Sequence, residues 1–268
     1  RREGVRQVEA TSDDLVASVA AELRRILATF GEGAVGCVVS ARHTTEELFL
    51  VRRCIRDILR TPHLDHRVRP VQREAADASE DGLLRRTDKN ANGRGARDLE
   101  ILPGPEGLDT RGMVMAALEG RLKALIVLEE DLVQGLPDLP VREALGKLEL
   151  LVVTSLVANE TTALAHAVFP ALGFAEKAGS FTNHQGRIQK LHRGLTPPGA
   201  CRDLAEILRA VAKHLDWDLG EIEPERVWAA IGEMPGPYHG IGWREWRAIG
   251  PEGLLAQGQE RRAEGEHA

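Results

Sequence analysis

Ser180, Thr182, Asn183, Gln185 and Arg187 crowd one short stretch, with Gly173, Gly179 and Gly186 interspersed. Their hydroxyl, amide and guanidinium groups could grip a phosphate, a heterocycle or another chain. The glycines allow positive φ or close approach of backbone to a ligand. An ordered surface loop that satisfies its own backbone has the same composition. Ala167-Val168-Phe169, ended by Pro170, reads as a short strand, so the donors leave its carboxyl end, where α/β sheets bind ligands.

A second candidate is Ser40-Ala41-Arg42-His43-Thr44-Thr45-Glu46-Glu47. The apolar run before it predicts a buried strand, and Leu48, Val51, Ile55, Ile58 and Leu59 after it predict a helix. A strand end meeting a helix N-terminus suits an anion, and equally an ordinary N-cap. Gly31, Gly33 and Gly36 have the G-x-G-x-x-G spacing, but they follow a predicted helix and enter a strand, the reverse of a dinucleotide fingerprint. His63, Asp65 and His66 could suggest a metal site; without a second paired set of ligands they read as loop residues. Glu129-Glu130-Asp131 would repel phosphate and reads as a solvated turn. Asn92 to Gly95 permits close backbone approach, and the arginines between 85 and 97 could hold a carboxylate or phosphate. Acidic neighbours such as Asp81, Asp88 and Asp98 favour a self-paired surface there. Cys37, Cys54 and Cys201 are too few for a four-cysteine cluster, and their spacing reads as reduced thiols.

The elements that must position these groups alternate. Thr11 with Asp14 predicts a helix start, continued by Leu15, Val19, Leu23, Ile26 and Leu27. Strand 34–39 and helix 45–59 follow, then helix 110–120, strand 123–128, helix 141–147 and strand 148–154. Asn159 caps a short helix before strand 167–169. Leu204, Ile207, Leu208, Val211 and Leu215 share one face of a later helix, and Pro224 opens another. This pattern predicts an α/β fold with a parallel sheet and dinucleotide-binding-like layers. The domain reading is 1–220 for the α/β part and 221–268 for a C-terminal helix and extended tail. In that tail Trp243 and Trp246 read as packed on the domain, or as anchors at an interface.

With 268 residues, 43% hydrophobic, the chain can bury a full core. A net charge of −6 argues against a nucleic-acid footprint. No apolar run approaches the roughly 20 residues of a membrane span. Arg1-Arg2 leads into charged sequence and supports neither a signal peptide nor a twin-arginine signal, so the expected compartment is cytoplasmic.

Several of these stretches together resemble the molybdopterin oxidoreductase family. Ala165 to Pro170, Phe174-Ala175-Glu176-Lys177, Ser180-Phe181-Thr182-Asn183 and Gly186-Arg187-Ile188-Gln189 follow its late ADVVLP…FAEKxGTFTNxxGRxQ segment in order. Ser40 to Glu47 is similar to its S-x-R…NEE segment, with Thr45 where asparagine is usual. Thr61 to Arg69 resembles TNNxDHxAR, residues 81–97 resemble RxxxxPNxRGA with Ala91 in place of proline, and Asn159-Glu160-Thr161-Thr162 resembles the TET segment. In formate dehydrogenase-type members, a cysteine or selenocysteine two residues beyond that arginine ligates the metal. Here that position is Val71, which cannot coordinate.

The resemblance is greatest to the branch formed by the G-type subunits of NADH:quinone oxidoreductase. It implies a molybdopterin-free scaffold without a catalytic residue or metal of its own, serving electron transfer from NADH towards quinone. The alternative is a fragment of an active molybdopterin-dependent oxidoreductase such as formate dehydrogenase. On the scaffold reading the chain holds no cofactor itself, and iron-sulfur clusters are expected in a missing N-terminal part or in partner subunits. Partners would be other subunits of a respiratory complex, with no nucleic acid. Any membrane contact would come through those partners, on the inner face of the cell membrane. Ser40, Arg42, Glu46, Thr182, Asn183 and Arg187 map to a vestigial cofactor pocket. Thr182 or Asn183 is expected to bond backbone near Ser40 to Glu46 and close it.

Overall fold

The Thr11 hydroxyl accepts the Asp14 N–H and starts α1 (Ser12–Phe30), whose apolar stripe is buried from Leu15 to Ile26. The structure, a computed structural model, describes residues 1–3, 6–67 and 88–256. Before α1, β1 (Arg2–Glu3) and β2 (Arg6–Gln7) pair antiparallel. After it come β3 (Val35–Val39), α2 (Thr45–Arg52) and β4 (His63–His66). The helix predicted through Leu59 is one body with a change of winding: α2 widens into a π-helical turn, Arg53–Ile58.

Next come α3 (Gly93–Asp98), α4 (Thr110–Leu118), β5 (Ala124–Leu128), α5 (Leu132–Gly135), α6 (Val141–Gly146) and β6 (Leu150–Ser155). The chain continues with α7 (Glu160–Leu164), β7 (Ala167–Pro170), β8 (Gly179–Thr182) and β9 (Arg187–Leu191). It ends with α8 (Leu204–His214), α9 (Pro224–Glu233), α10 (Trp243–Arg247) and β10 (Leu254–Leu255).

Five strands form one parallel sheet in the order β4-β3-β5-β6-β7. The middle strands β3 and β5 are buried along their whole length, which is why they read as unbroken apolar runs. Val35, Cys37 and Val39 enter one apolar cluster with α1, α2 and α8, while Val38 enters the other with α4, α5 and α6. Val227, Trp228, Ile231 and Tyr238 belong to the first cluster, so α9 and the segment after it pack in the same core as α1. Gly36 sits inside β3, where a Cβ would lie 2.7 Å from the Met113 sulfur. Its role is to admit α4 closely, which fits the rejection of a dinucleotide fingerprint.

Two sequence readings change. His63 and His66 lie on the edge strand β4 and not in a loop, because their backbone completes the ladder beside β3. The Glu176 to Arg187 segment is mostly an antiparallel hairpin, β8 with β9, extended by β10. Alternation in Ser180-Phe181-Thr182 and Ile188-Gln189-Lys190 carried that signal, obscured by the polar residues between. Asn183 builds the turn: its side-chain oxygen accepts the N–H groups of Gln185 and Arg187, and Gly186 takes φ +80°.

Candidate functional site

The carboxyl ends of β3 and β5 meet the hairpin at two adjacent glutamates in the first turn of α2. The Thr44 hydroxyl accepts the Glu47 N–H and a Glu47 oxygen accepts the Thr44 N–H, a reciprocal cap that sets where both carboxylates point. Glu46 faces the hairpin and is 2% exposed. Its carboxylate accepts the Ser180 N–H (2.8 Å), the Ser180 hydroxyl (2.8 Å) and the Trp228 indole N–H (2.7 Å). Burial pushes its carboxyl up to about 7, against the bonds from its own backbone, Ser180 and Trp228 that favour the ionised form.

Glu47 leaves the helix in a different direction and is met by Lys177 and His43. Lys177 Nζ lies 2.9 and 3.2 Å from its two oxygens, and His43 Nδ1 lies 3.2 Å away. Burial disfavours its charge, but Lys177 and His43 outweigh that and hold the carboxyl well below the usual range. Burial also works against the Lys177 ammonium, and the charges of Glu47 and Glu129 more than offset it, raising its pKa. Glu129 Oε1 stands 3.8 Å from Lys177 and 3.6 Å from His43 Nε2. The acidic run after β5 is therefore no solvated turn. Glu130 is 1% exposed, and Asp131 caps α5 and accepts the Thr161 hydroxyl.

Asn92 links the hairpin to the β3 end. Its Oδ1 accepts the Thr182 N–H (2.7 Å), while its Nδ2 donates to the His43 carbonyl (3.0 Å) and the Thr45 hydroxyl (3.2 Å). The Thr182 hydroxyl meets the Tyr238 hydroxyl at 2.7 Å, and Tyr238 packs edge-on to Trp228 at 5.4 Å. Gly179 has φ +154°, and a Cβ there would lie 2.7 Å from both Glu46 Oε2 and Thr44 Cγ2. Backbone without a side chain is what brings β8 onto the glutamates.

The residues predicted for a vestigial pocket divide. Glu46 is at the centre, and Thr182 reaches the β3 end only through Asn92 rather than directly. Ser40 is buried, its N–H donates to Leu128 O, and its hydroxyl has no hydrogen-bond partner among the described residues. Arg42 is exposed. Asn183 bonds within its own turn and the Arg187 guanidinium donates to Glu252 O, so both stay with the hairpin. Glu47 and Asn92 lie in stretches read as candidates, but with no role for either side chain; Lys177 is marked only by the FAEK spelling, and Trp228 has no site signal. Val71 and Arg85 lie outside the described residues. Arg94 pairs with Asp98 and the half-exposed Arg97 with Asp88, while Trp246 is buried under Lys190.

His63 Nδ1 accepts the Leu108 N–H, and His66 Nδ1 donates to Ile101 O. Among the described residues no group of three His, Cys, Asp or Glu could hold a metal, and no helix is long and apolar enough to cross a membrane.

The family model described as molybdopterin oxidoreductase matches residues 68–214, more than half of the chain. The chain belongs to the molybdopterin oxidoreductase family. Within that family it is 33% identical over 142 residues to the alpha subunit of the NADPH-Fe(3+) oxidoreductase of Geobacter sulfurreducens, covering 53% of this chain and 17% of that one. It is 28% identical over 155 residues to the G 2 subunit of the NADH-quinone oxidoreductase of Rhizobium meliloti, covering 58% and 18%. To the alpha subunit of the F420-dependent formate dehydrogenase of Methanocaldococcus jannaschii it is 30% identical over 149 residues, covering 54% and 21%. The chain thus spans about a fifth of the length of these relatives, each of which is named as a subunit.

Proposed function

We propose that this chain is a scaffold part of a G-type subunit of an NADH:quinone oxidoreductase, free of molybdopterin and without an active site of its own. The observation that carries this reading is the lock at Glu46. One buried carboxylate takes three donors from β8 and α9 and ties the hairpin across the carboxyl end of β3. Donors that could have met a cofactor are spent on the chain itself.

Charge supports the same reading. A dinucleotide with a pterin carries a pyrophosphate, which needs cations or free N–H groups. At this edge Glu46, Glu47, Glu129 and Glu130 are gathered, and Lys177, between Glu47 and Glu129, is already ion-paired. These residues do not suit such a group. Val71, where formate dehydrogenase-type members place their metal ligand, agrees with it. Electron-carrying clusters and the partners that hold them are assigned to other parts of the assembly, and any membrane contact to those partners.

The second reading, a piece of an active molybdopterin-dependent oxidoreductase such as a formate dehydrogenase, draws on the similar identity to a subunit with that name. Calorimetric titration with a pterin-guanine dinucleotide separates the two. The scaffold reading expects no binding at micromolar concentration. Micromolar binding that protects residues 40–47 and 180–187 from hydrogen exchange would replace it with the second.

A further inference from the structure

Large apolar side chains left in water are ordinary when single; grouped on one face they mark a contact surface. Leu156 is 50% exposed, Val157 69%, Phe174 70% and Leu195 60%. They come from three segments that touch. The Ala171 N–H donates to Ser155 O, joining the loop after β7 to the end of β6. The N–H groups of Gly194 and Leu195 both donate to Ala175 O at 2.8 Å, joining the chain after β9 to that same loop. A Cβ on Gly173 would sit 3.9 Å from Leu156 Cδ2. The four side chains thus form one patch at the carboxyl edge of β6 and β7.

The same segments border a cleft of about 120 Å³, which Ala178 and Arg193 line on the patch side. Its other walls carry carboxylates, Glu47 from α2, Asp203 and Glu206 at the start of α8, and Glu223 before α9. Arg193 is the cation facing them, with Lys177 already engaged by Glu47. We propose that this face docks a segment of a partner protein presenting an arginine or lysine flanked by apolar side chains. The cation enters the acidic cleft, and the apolar neighbours cover Leu156, Val157, Phe174 and Leu195.

Charge complementarity selects this occupant. A nucleotide or acidic peptide would set anion against carboxylates. A second copy, seated on the same patch, would bring its own acidic cleft towards this one. The environment of Asp203 is compatible with this: burial first, and then the charge of Glu47, push its carboxyl up to about 6, and an incoming cation would favour its ionised form. The surface does not depend on which complex the chain serves.

The test uses the full chain, labelled with nitrogen-15, and three capped tetrapeptides: Leu-Arg-Leu-Leu, Leu-Glu-Leu-Leu and Ser-Arg-Ser-Ser. The first is expected to shift amides at 156–157, 174 and 195 together with 193, 203 and 206. It should bind at least tenfold more tightly than either control. The Glu206→Gln/Glu223→Gln variant, whose spectrum should otherwise match the parent, should lose at least tenfold of that affinity. Equal affinity for the glutamate peptide, shifts on another face, or an unaffected variant would overturn the proposal. Concentration-dependent dimerisation in sedimentation that broadens the patch resonances would replace the partner with a second copy. No arm of this test involves a pterin, so its failure leaves the scaffold reading to its own titration.

Discussion

Replacing Glu46 by glutamine should change how stability depends on pH more than it changes stability itself. In the fold, burial raises this carboxyl from 4.5 to about 7. Between those values the folded protein holds a proton that the unfolded chain has lost. Stability from this group therefore falls as pH rises from about 4.5 to about 7, and is level above that. At 1.36 kcal/mol per unit, the full effect is about 3 kcal/mol. Glutamine does not titrate and escapes this loss. It offers one acceptor oxygen, however, and turns an amide donor towards either the Ser180 N–H or the Trp228 N–H, neither of which can rotate away. That mismatch costs about 1–3 kcal/mol at every pH. The variant should thus be less stable than the parent near pH 4.5, and equal or more stable near pH 8. Titrations of Asp203 and Glu47 are shared by both proteins and cancel in the difference to first order. Urea unfolding of both proteins at about six pH values measures it. Parallel stability curves, with a difference constant within about 0.5 kcal/mol, would refute the burial account of Glu46.

Two further substitutions probe the same edge. Lys177→Met leaves Glu47 and Glu129 without their shared ammonium and should cost about 3–5 kcal/mol in urea unfolding, while adding Glu47→Gln should restore most of it. A cost below about 1 kcal/mol for the single change would mean that the pair does not hold the hairpin. Gly179→Ala combines a rarely adopted φ of +154° with a Cβ placed 2.7 Å from Glu46 and Thr44. It should destabilise by about 2–5 kcal/mol and disturb the near-ultraviolet signal of Trp228, whereas a well-folded variant with an unchanged spectrum would show that β8 can retreat cheaply.

What could be read from the sequence is what short-range chemistry decides. The Thr11 cap, the helical spacing of Leu15 to Ile26 and the apolar runs at 34–39, 123–128 and 148–154 each carry a local signal, and each became the element it predicted. Strands buried on both faces then leave little choice but a parallel sheet between helical layers. Spelled-out motifs such as FAEK and SFTN pointed to the family because family identity is a matter of residue order. The pairing of those motifs was not local. Ser180 and Glu46 are separated by 134 positions, Lys177 and Glu47 by 130, and Trp228 and Glu46 by 182. Nothing in the spelling of Glu46-Glu47 says that one acid will meet a lysine and its neighbour an indole. The helical turn sends adjacent side chains in different directions, and packing of the hairpin and α9 supplies a different environment to each. His63 and Glu130 repeat the lesson. His63 reads as a loop residue and Glu130 as part of a solvated turn, but the fold buries both, because only the assembled layers determine which polar groups lose contact with water.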